Sequence, residues 1–303
     1  MRNWTLRVSV PASTANLGPG FDAVGLALDL FNVLEVEPGD GEFRVDVLGE
    51  GAGLPLAENL AARALQEAFR QAGQKLPPLR LRQTNRIPMG SGMGSSAAAV
   101  VGGLVLANAL LGDPWPGERL LEMACELEGH PDNVAPALWG GLVVSCRSQA
   151  GIRFLRLEAP TELHAVLVVP EFVVSTARAR QLLPEEVPFP DAVFNLGRTA
   201  LLVGALASRR YDLLREAMQD HLHQPYRAPL VPGMEEALEA AREAGALGAA
   251  LSGSGPSLLA FAVGDSRPIA EAMQVVLARH GVESTWMTAR PTAWGALATL
   301  HRR

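Results

Sequence analysis

Lysine is almost absent from this sequence. Lys75 is the only lysine, and it lies in the polar, proline-flanked segment GQKLPP, while the other basic side chains are arginines. A buried catalytic lysine would have to be Lys75, and such a segment is a poor place for one. The skew is typical of a composition bias, and it excludes most mechanisms that depend on a lysine.

Cysteine is also scarce, since the sequence contains only Cys125 and Cys146, in no spacing pattern. Such cysteines indicate a reducing compartment and speak against a disulfide scaffold or a zinc site. The first residues, MRNWTLRVSVPAS, alternate polar and apolar side chains and lack the apolar region of a signal peptide. No stretch has the roughly 18 uninterrupted apolar residues that indicate a membrane span, so we expect a cytoplasmic protein without a membrane partner.

Positive charge is in deficit, because the net charge of the chain is −6. Nucleic acids and anionic membranes call for a basic face, so we expect neither as a partner. Apolar residues make up 48% of the chain and charged residues 19%, which is the balance of an ordinary globular protein. A chain of 303 residues usually divides into two domains.

The periodicity of apolar residues predicts hairpins mixed with helices, which favours two α+β domains over one doubly wound sheet. We expect the domains at 1–160 and 161–303. In the first domain, the pattern predicts a polar turn at Gly129–Asn133 and helices over 58–73, 95–111 and 117–128. In the second domain, it predicts strands near 282–288 and 294–300 and helices near 175–183, 191–207, 211–223, 233–245 and 267–280.

A glycine-rich segment, PMGSGMGSSA at 88–97, lies between a predicted strand and a predicted helix. Its alternating glycines, Gly90, Gly92 and Gly94, let the backbone approach a ligand closely. The following helix presents unpaired N–H groups and about +0.5 of an elementary charge at its N-terminus, which suits a phosphate. Ser95 and Ser96 lie in the first turn, where a serine can cap the helix, donate to a phosphate or bind a metal that phosphates hold.

Two common nucleotide motifs do not fit this segment. A Walker A loop requires a lysine after its last glycine, whereas Ser95 follows Gly94. A dinucleotide fingerprint requires the spacing G-x-G-x-x-G and an acidic residue about 20 positions further on, at the end of a strand. Here the spacing is G-x-G-x-G, and the nearest acid, Asp113, ends a predicted helix. The nucleotide loop of another ATP-binding fold and a plain glycine hinge with a serine cap stay open.

Two further segments contain glycine turns. Residues 10–22, VPASTANLGPGFD, carry the amide of Asn16 and the carboxylate of Asp22 around a Gly-Pro-Gly turn, which can aim both at one small ligand. A carboxylate suits an ammonium group and an amide suits a hydroxyl, whereas in a plain turn both would bond their own backbone. Residues 251–257, LSGSGPS, form a glycine turn between two apolar strands, which alone indicates a hairpin.

The segment at 88–97 resembles the phosphate loop of the kinases of galactose, homoserine, mevalonate and phosphomevalonate, the GHMP kinases. Residues 10–22 resemble the homoserine kinases more than their relatives, and residues 251–257 resemble the third motif of the family, which packs against the nucleotide loop. The resemblance covers nearly the whole chain. It implies an N-terminal ribosomal-protein-S5-domain-2-like fold and a C-terminal ferredoxin-like domain.

The resemblance also implies a set of site residues. ATP would bind to the nucleotide loop, which comprises Pro88, Met89, Gly90, Ser91, Gly92, Met93, Gly94, Ser95, Ser96 and Ala97. Ser96 and Glu128 would bind Mg²⁺, with Glu126 as the alternative ligand.

The segment GHPDN at 129–133 resembles homoserine-kinase residues near the substrate hydroxyl, which His130 and Asn133 would position. Asp132 is a tempting general base, but homoserine kinases are thought to lack an obvious one, so none is assigned. Two arginines would bind the substrate carboxylate, Arg180 with Arg178 as the shifted alternative, and Arg227. The implied substrate-binding set is Asn16, Asp22, His130, Asn133, Thr176, Arg180 and Arg227. His221 and His223 fit an ordinary helix end.

The implied activity is ATP-dependent phosphorylation of the hydroxyl of L-homoserine to O-phospho-L-homoserine and ADP, in threonine biosynthesis. The family also implies a homodimer. Three alternatives remain, namely another GHMP kinase with a sugar or mevalonate-pathway substrate, a ligand sensor without catalytic activity, and a dehydrogenase. Asp22 together with two arginines favours an amino acid as the substrate.

Overall fold

A computed structural model describes residues 4–302 of the chain as two sheets with helices packed against them. The strands are β1 (Trp4–Asn16), β2 (Gly20–Pro38), β3 (Arg44–Gly49), β4 (Leu79–Asn85), β5 (Leu142–Ser148), β6 (Gly151–Leu157), β7 (His164–Pro170), β8 (Gly248–Leu251), β9 (Leu258–Ala262), β10 (Ser284–Ala289) and β11 (Leu297–Arg302). The helices are α1 (Leu60–Gln71), α2 (Ser95–Leu110), α3 (Gly117–Glu128), α4 (Pro131–Trp139), α5 (Thr176–Gln181), α6 (Phe189–Ala207), α7 (Leu214–Ala217), α8 (Gln224–Arg227), α9 (Met234–Glu243) and α10 (Arg267–Arg279).

The first sheet has the strand order β11-β1-β2-β4-β3, and β5 and β6 extend it from β2. Only the β3–β4 pair is parallel among the described strands of this sheet. Helix α2 packs closely on the sheet and on α1, as two of its glycines show. A Cβ atom at Gly102 would lie 2.8 Å from Leu34 Cδ1 of the sheet. A Cβ atom at Gly103 would lie 2.2 Å from the carbonyl oxygen of Ala61 in α1. This close packing fixes the position of the helix N-terminus.

The second sheet is antiparallel and has the strand order β10-β7-β9-β8. Helices fill the connections from β7 to β8 and from β9 to β10, and the side chains of α9 and α10 share a buried apolar cluster with Val166, Val168 and Leu258. The connectivity and strand order are those of a ferredoxin-like domain. The prediction of an α+β fold with two domains is therefore confirmed.

Strand β11 leaves the second half of the chain and pairs with β1, with Trp4 opposite Arg302. Strands β6 and β7, which belong to different sheets, lie on either side of the predicted domain boundary at residue 160. The division into 1–160 and 161–303 stays a prediction. None of the helices formed by residues 4–302 combines the length and apolar character that crossing a bilayer requires.

Helix α4 begins within the segment for which the sequence predicted only a polar turn. The sequence pattern of this helix is weak because Pro131 stands at its start and Pro136 lies inside it. Pro136 has no N–H group and cannot bond to the carbonyl of Asp132, four residues earlier. That carbonyl faces Gly25, where a Cβ atom would lie 1.7 Å from its oxygen.

The helix predicted over 211–223 is largely absent, since the described helix α7 covers only Leu214–Ala217. The side chain of Asp220 accepts hydrogen bonds from the backbone N–H groups of Leu222, His223 and Gln224. Such local side-chain bonds offer the backbone an alternative to helical hydrogen bonds. The chain therefore turns at Asp220 and begins the short helix α8.

Candidate active site

A cleft between the two sheets contains a cavity of about 300 Å³. The predicted site residues that line it are Asn16, Asp22, Gly90, Ser91, Gly92, Gly94, Ser95, Ser96, Ala97, Glu128, His130, Asn133, Thr176, Arg180 and Arg227. The structure thus brings together segments that are far apart in the sequence. Three loop residues lie elsewhere, since Met93 is buried beneath the loop, Met89 lines a neighbouring cavity and the carbonyl of Pro88 accepts a hydrogen bond from Ser91.

The glycines of the loop have no room for a side chain. Gly90, Gly92 and Gly94 all have positive φ angles of 62°, 79° and 70°. A Cβ atom at Gly92 would lie 2.1 Å from the carbonyl oxygen of Ser252, and one at Gly94 would lie 2.1 Å from Ser13 Oγ. Gly94 immediately precedes α2, so the first-turn N–H groups of that helix face the cavity side of the loop. The arrangement suits an anion.

The turn that contains Gly253 and Gly255 holds the loop in place. The hydroxyl of Ser252 donates to the carbonyl of Gly92 over 2.8 Å, and the N–H of Ser257 donates to the carbonyl of Ser91 over 3.2 Å. This contact between residues 251–257 and the nucleotide loop agrees with the sequence prediction.

An acidic group and a hydroxyl meet where α2 begins and α3 ends. Ser96 Oγ donates a hydrogen bond to Glu128 Oε1. Burial raises the pKa of Glu128 from its ordinary value, against the opposing effect of the Ser96 hydrogen bond. Glu126, the alternative metal ligand, lies outside the cavity and pairs instead with Arg119, at 3.3 Å.

His130, Asp132 and Asn133 form one hydrogen-bonded group at the start of α4. His130 Nδ1 donates to Asp132 Oδ1 over 2.5 Å, and Ser13 Oγ donates to Asn133 Oδ1 over 3.0 Å. Burial opposes a charge on His130, but the hydrogen bond and the charge of Asp132 outweigh it, so the pKa of the imidazole is raised. Asp132, whose carboxylate also accepts the N–H of Asn133, thereby orients His130.

Asp22 and Arg180 form an ion pair across the cavity. Arg180 Nη1 and Nη2 donate to the two carboxylate oxygens of Asp22, at 3.0 and 2.5 Å. Asn16 holds the backbone of Asp22, because its Oδ1 accepts the backbone N–H of Asp22 at 3.0 Å and its Nδ2 donates to the carbonyl of Gly253 at 2.9 Å. Both polar atoms of Asn16 are thus already used within the protein.

Arg227 is buried at the floor of the cavity, with 2% of its surface exposed. Its Nη1 donates to the carbonyl of Gly253 over 3.1 Å and to His223 Nδ1 over 3.3 Å. Its Nε is buried without a hydrogen-bond partner in residues 4–302. Burial, reinforced by the charge of Arg180, lowers the pKa of Arg227 to about 10, so the guanidinium stays charged at neutral pH.

The two remaining predicted residues differ in position. Thr176 lines the cavity, and its hydroxyl lies 3.2 Å from that of Ser254. Arg178, the alternative to Arg180, is exposed and does not line the cavity, while its backbone N–H is bonded to the capping Ser175.

Two aromatic rings that pack beside the arginines escaped the sequence interpretation. The ring of Phe21 lies beneath both guanidinium groups, with its centroid 5.4 Å from Cζ of Arg180 and 5.2 Å from Cζ of Arg227. His223, which fitted an ordinary helix end, is fully buried beside them. Phe21 lies inside a motif that drew attention to its polar residues, and nothing local in the sequence marks His223.

A phosphate loop in a cleft between two α+β domains, with a carboxylate and hydroxyl beside it, defines a small-molecule kinase. The profile of the GHMP kinases N terminal domain matches residues 59–141, and that of the GHMP kinases C terminal matches residues 202–283. The chain belongs to the GHMP kinase family, within which its relatives identify it as a member of the homoserine kinases.

These relatives cover almost the whole chain. The homoserine kinase of Carboxydothermus hydrogenoformans is 45% identical over 96% of this chain and 95% of its own length. That of Moorella thermoacetica is 48% identical over 96% and 98%. The crystal structure of homoserine kinase from Cytophaga hutchinsonii superimposes with a TM-score of 0.86 and 31% identity, covering 97% of each chain. The predicted family, fold class and kinase activity are therefore confirmed.

Proposed function

We propose that this cleft transfers the γ-phosphoryl group of ATP to the hydroxyl of L-homoserine and yields O-phospho-L-homoserine, a precursor of threonine, and ADP. The observation that carries the proposal is the position of Arg227, whose guanidinium forms no ion pair with a carboxylate of residues 4–302, in the same cavity as the phosphate loop. A free amino acid has a carboxylate that needs such a cation, whereas galactose has none.

The phosphates of ATP bind at the loop and the N-terminus of α2. A second cavity of about 120 Å³ shares Leu60, Gly90, Ser95 and Ser96 with the first. Its walls combine apolar side chains such as Leu54 and Met89 with the amides of Asn59 and Asn85. Apolar walls with a few polar groups suit a purine base, so we assign this cavity to adenine.

Ser96 and Glu128 fit a Mg²⁺ ion. Both offer oxygen ligands, and Mg²⁺ uses few protein ligands beside phosphate oxygens and water. Burial raises the pKa of Glu128, and the hydrogen bond from Ser96 and the charge of His130 offset only part of this effect, so a bound cation would further favour the carboxylate. When bound, Mg²⁺ neutralises charge on the phosphate oxygens.

Homoserine binds between Asp22 and the two arginines. Its ammonium group is held by Asp22, and its carboxylate by Arg180 and Arg227. Because Asp22 and Arg180 are bonded to each other, the zwitterion would exchange this internal ion pair for one ion pair to each of its own charged groups. Thr176 borders this site, and Asn16 contributes by holding Asp22 in place.

The reaction needs little beyond position and charge. The hydroxyl oxygen of homoserine bonds to the γ-phosphorus, the bond from that phosphorus to ADP breaks, and the hydroxyl proton is released as transfer proceeds. A loose transition state tolerates this sequence without a general base. His130 and Asn133 position the hydroxyl, and Asp132 is committed to His130.

A cytoplasmic location, a homodimer and the lack of a nucleic-acid partner stay predictions. Light scattering of the purified protein tests the dimer.

The function is tested by incubating the purified protein with ATP, Mg²⁺ and either homoserine, mevalonate, galactose or serine, with mass analysis of the products. Phosphohomoserine alone supports the assigned roles. Turnover of another substrate would leave the kinase assignment intact but contradict the roles of Asp22, Arg180 and Arg227. No turnover of any substrate would favour a ligand sensor.

A further inference from the structure

His223 is a fully buried polar residue that the mechanism above does not use. Its ring packs beside Phe21, with the ring centroids 5.2 Å apart. Its Nε2 lies 2.7 Å from the carbonyl oxygen of Gly18, and its Nδ1 lies 3.3 Å from Nη1 of Arg227. One imidazole therefore connects the turn that carries Asp22 with Arg227 at the floor of the cavity.

The contacts of its two ring nitrogens fix the protonation of His223, and Asp220 Oδ2 also lies 3.5 Å from Nε2. A carbonyl oxygen only accepts, so Nε2 carries a hydrogen and donates it to Gly18. A guanidinium only donates, so Nδ1 has its lone pair free and accepts from Arg227. The imidazole is thus neutral and in a single tautomer. Burial lowers the pKa of His223 and outweighs the opposing charge of the nearby Asp220 carboxylate, so it acts in the same direction.

Neutrality matters because of what Arg227 binds. Both of its acceptors, His223 Nδ1 and the carbonyl of Gly253, are uncharged, and no carboxylate of residues 4–302 forms an ion pair with it. Arg180, by contrast, is bonded through both Nη1 and Nη2 to Asp22. A carboxylate in place of His223 would hold Arg227 equally well but would cancel the charge that a substrate carboxylate needs.

We propose that His223 is a positioning residue that aims the guanidinium of Arg227 at the carboxylate of homoserine without neutralising it. The inference rests on the proposed function, in which Arg227 binds that carboxylate. Because Gly18 anchors the imidazole, His223 also sets the distance between the carboxylate site and the ammonium site at Asp22. Asp22, His223 and Arg227 then recognise the ammonium and carboxylate groups of an α-amino acid together.

The matched variant is His223→Phe, which keeps a ring beside Phe21 but removes both nitrogens. We expect the KM for homoserine to rise about tenfold or more, since a hydrogen bond to a charged group is lost, while the KM for ATP changes by less than about twofold. His223→Gln retains a donor and an acceptor and should recover part of the loss. His221→Gln, two positions away on a half-exposed side chain, should leave both constants unchanged.

A substrate without a carboxylate distinguishes a loss of Arg227 positioning from a general loss of enzyme activity. With 3-aminopropan-1-ol, which is homoserine without that group, His223→Phe and the unaltered enzyme should have equal kcat/KM. In an Arg227→Ala background, His223→Phe should have no further effect on homoserine. Equal loss with both substrates, a parallel rise in the KM for ATP, or no change with homoserine would each overturn the proposal.

Failure of the proposed function would look different. If Arg227→Ala leaves the KM for homoserine unchanged, the assignment of Arg227 is wrong, whatever His223→Phe does. If His223→Phe does not fold, ¹⁵N NMR of the unaltered enzyme at neutral pH decides the question. A neutral ring with its hydrogen on Nε2 is expected, and an imidazolium or an Nδ1–H tautomer would contradict the proposal.

Discussion

Ser96 at the start of α2 donates a hydrogen bond to Glu128, the last residue of α3. The first turn of α2 and the last turn of α3 thus meet beside the phosphate loop. This contact distinguishes Glu128 from Glu126, which pairs with Arg119 outside the cavity.

Glu128→Gln should lower kcat by roughly a hundredfold or more, because it removes an anionic metal ligand. The dependence of the rate on Mg²⁺ concentration is the measurement, and a higher Mg²⁺ requirement is expected. Glu126→Gln is the matched control and should behave like the unaltered enzyme. A larger loss of kcat in Glu126→Gln than in Glu128→Gln would mean that Glu126 is the metal ligand.

Gly92→Ala should impair ATP binding and stability together. The substitution requires a positive φ, which costs about 1–2 kcal/mol, and its Cβ atom would also overlap the carbonyl of Ser252. Gly112→Ala is the control, since Gly112 has a φ of 84° but no atom within 4 Å of the added Cβ. Thermal unfolding should report a loss in both variants, whereas the KM for ATP should rise only in Gly92→Ala. A normal KM for ATP in Gly92→Ala would contradict the tight fit described for the loop.

Asp22→Asn should raise the KM for homoserine, on the order of tenfold to a hundredfold, because the substrate ammonium loses its charged partner. With 4-hydroxybutanoate, which lacks the amino group, the variant should match the unaltered enzyme. Kinetics with both substrates at saturating ATP provide the comparison. A similar loss with both would mean that Asp22 acts only by holding Arg180.

Arg227→Ala should raise the KM for homoserine strongly and change the KM for ATP little, since the residue binds only the amino-acid substrate in the proposed mechanism. Arg178→Ala, on an exposed side chain, is the control and should have no effect. Equal damage to both KM values would refute the assigned role of Arg227.

The two cysteines should react at very different rates with a thiol reagent. The thiolate is the reactive species, and burial raises the pKa of Cys125 to about 12, so this thiol stays protonated well above neutral pH. Cys146 is exposed. We expect one thiol to be labelled in the folded protein at pH 8 and the second only after unfolding. Cys146→Ser should abolish the fast reaction, and rapid labelling of that variant would show that Cys125 is accessible.

Much of the phosphate site could be predicted from the sequence because it depends on local backbone requirements. Gly90, Gly92 and Gly94 have positive φ angles, and the apolar run after them forms α2 within one residue of the predicted bounds. Helix α4 was missed because its signal is interrupted by Pro136. The choice between Arg178 and Arg180 came from resemblance, since only the direction of α5 against Asp22 distinguishes them physically.

The substrate side of the cavity depends on contacts between distant segments. His223 is bonded to Gly18, and Asn16 to Gly253, so the local sequence around either partner contains no sign of the other. His223 looks like an ordinary helix-end residue when its segment is considered alone, and Asn16 fits either a ligand-binding residue or a plain turn. Tertiary packing therefore decides which polar residues in this half of the site are free to bind a ligand.

Strand β11 pairs with β1 after the chain has passed through the whole second sheet. Two stretches of backbone consequently connect the sheets, one before β7 and one after β10. Two connections restrict the rotation of the second sheet more than a single linker would. The only rotation that leaves both connections in place is about the line that joins them. The two connections, together with the bonds from Ser252 to Gly92 and from Asn16 to Gly253, keep the walls of the cleft aligned with each other.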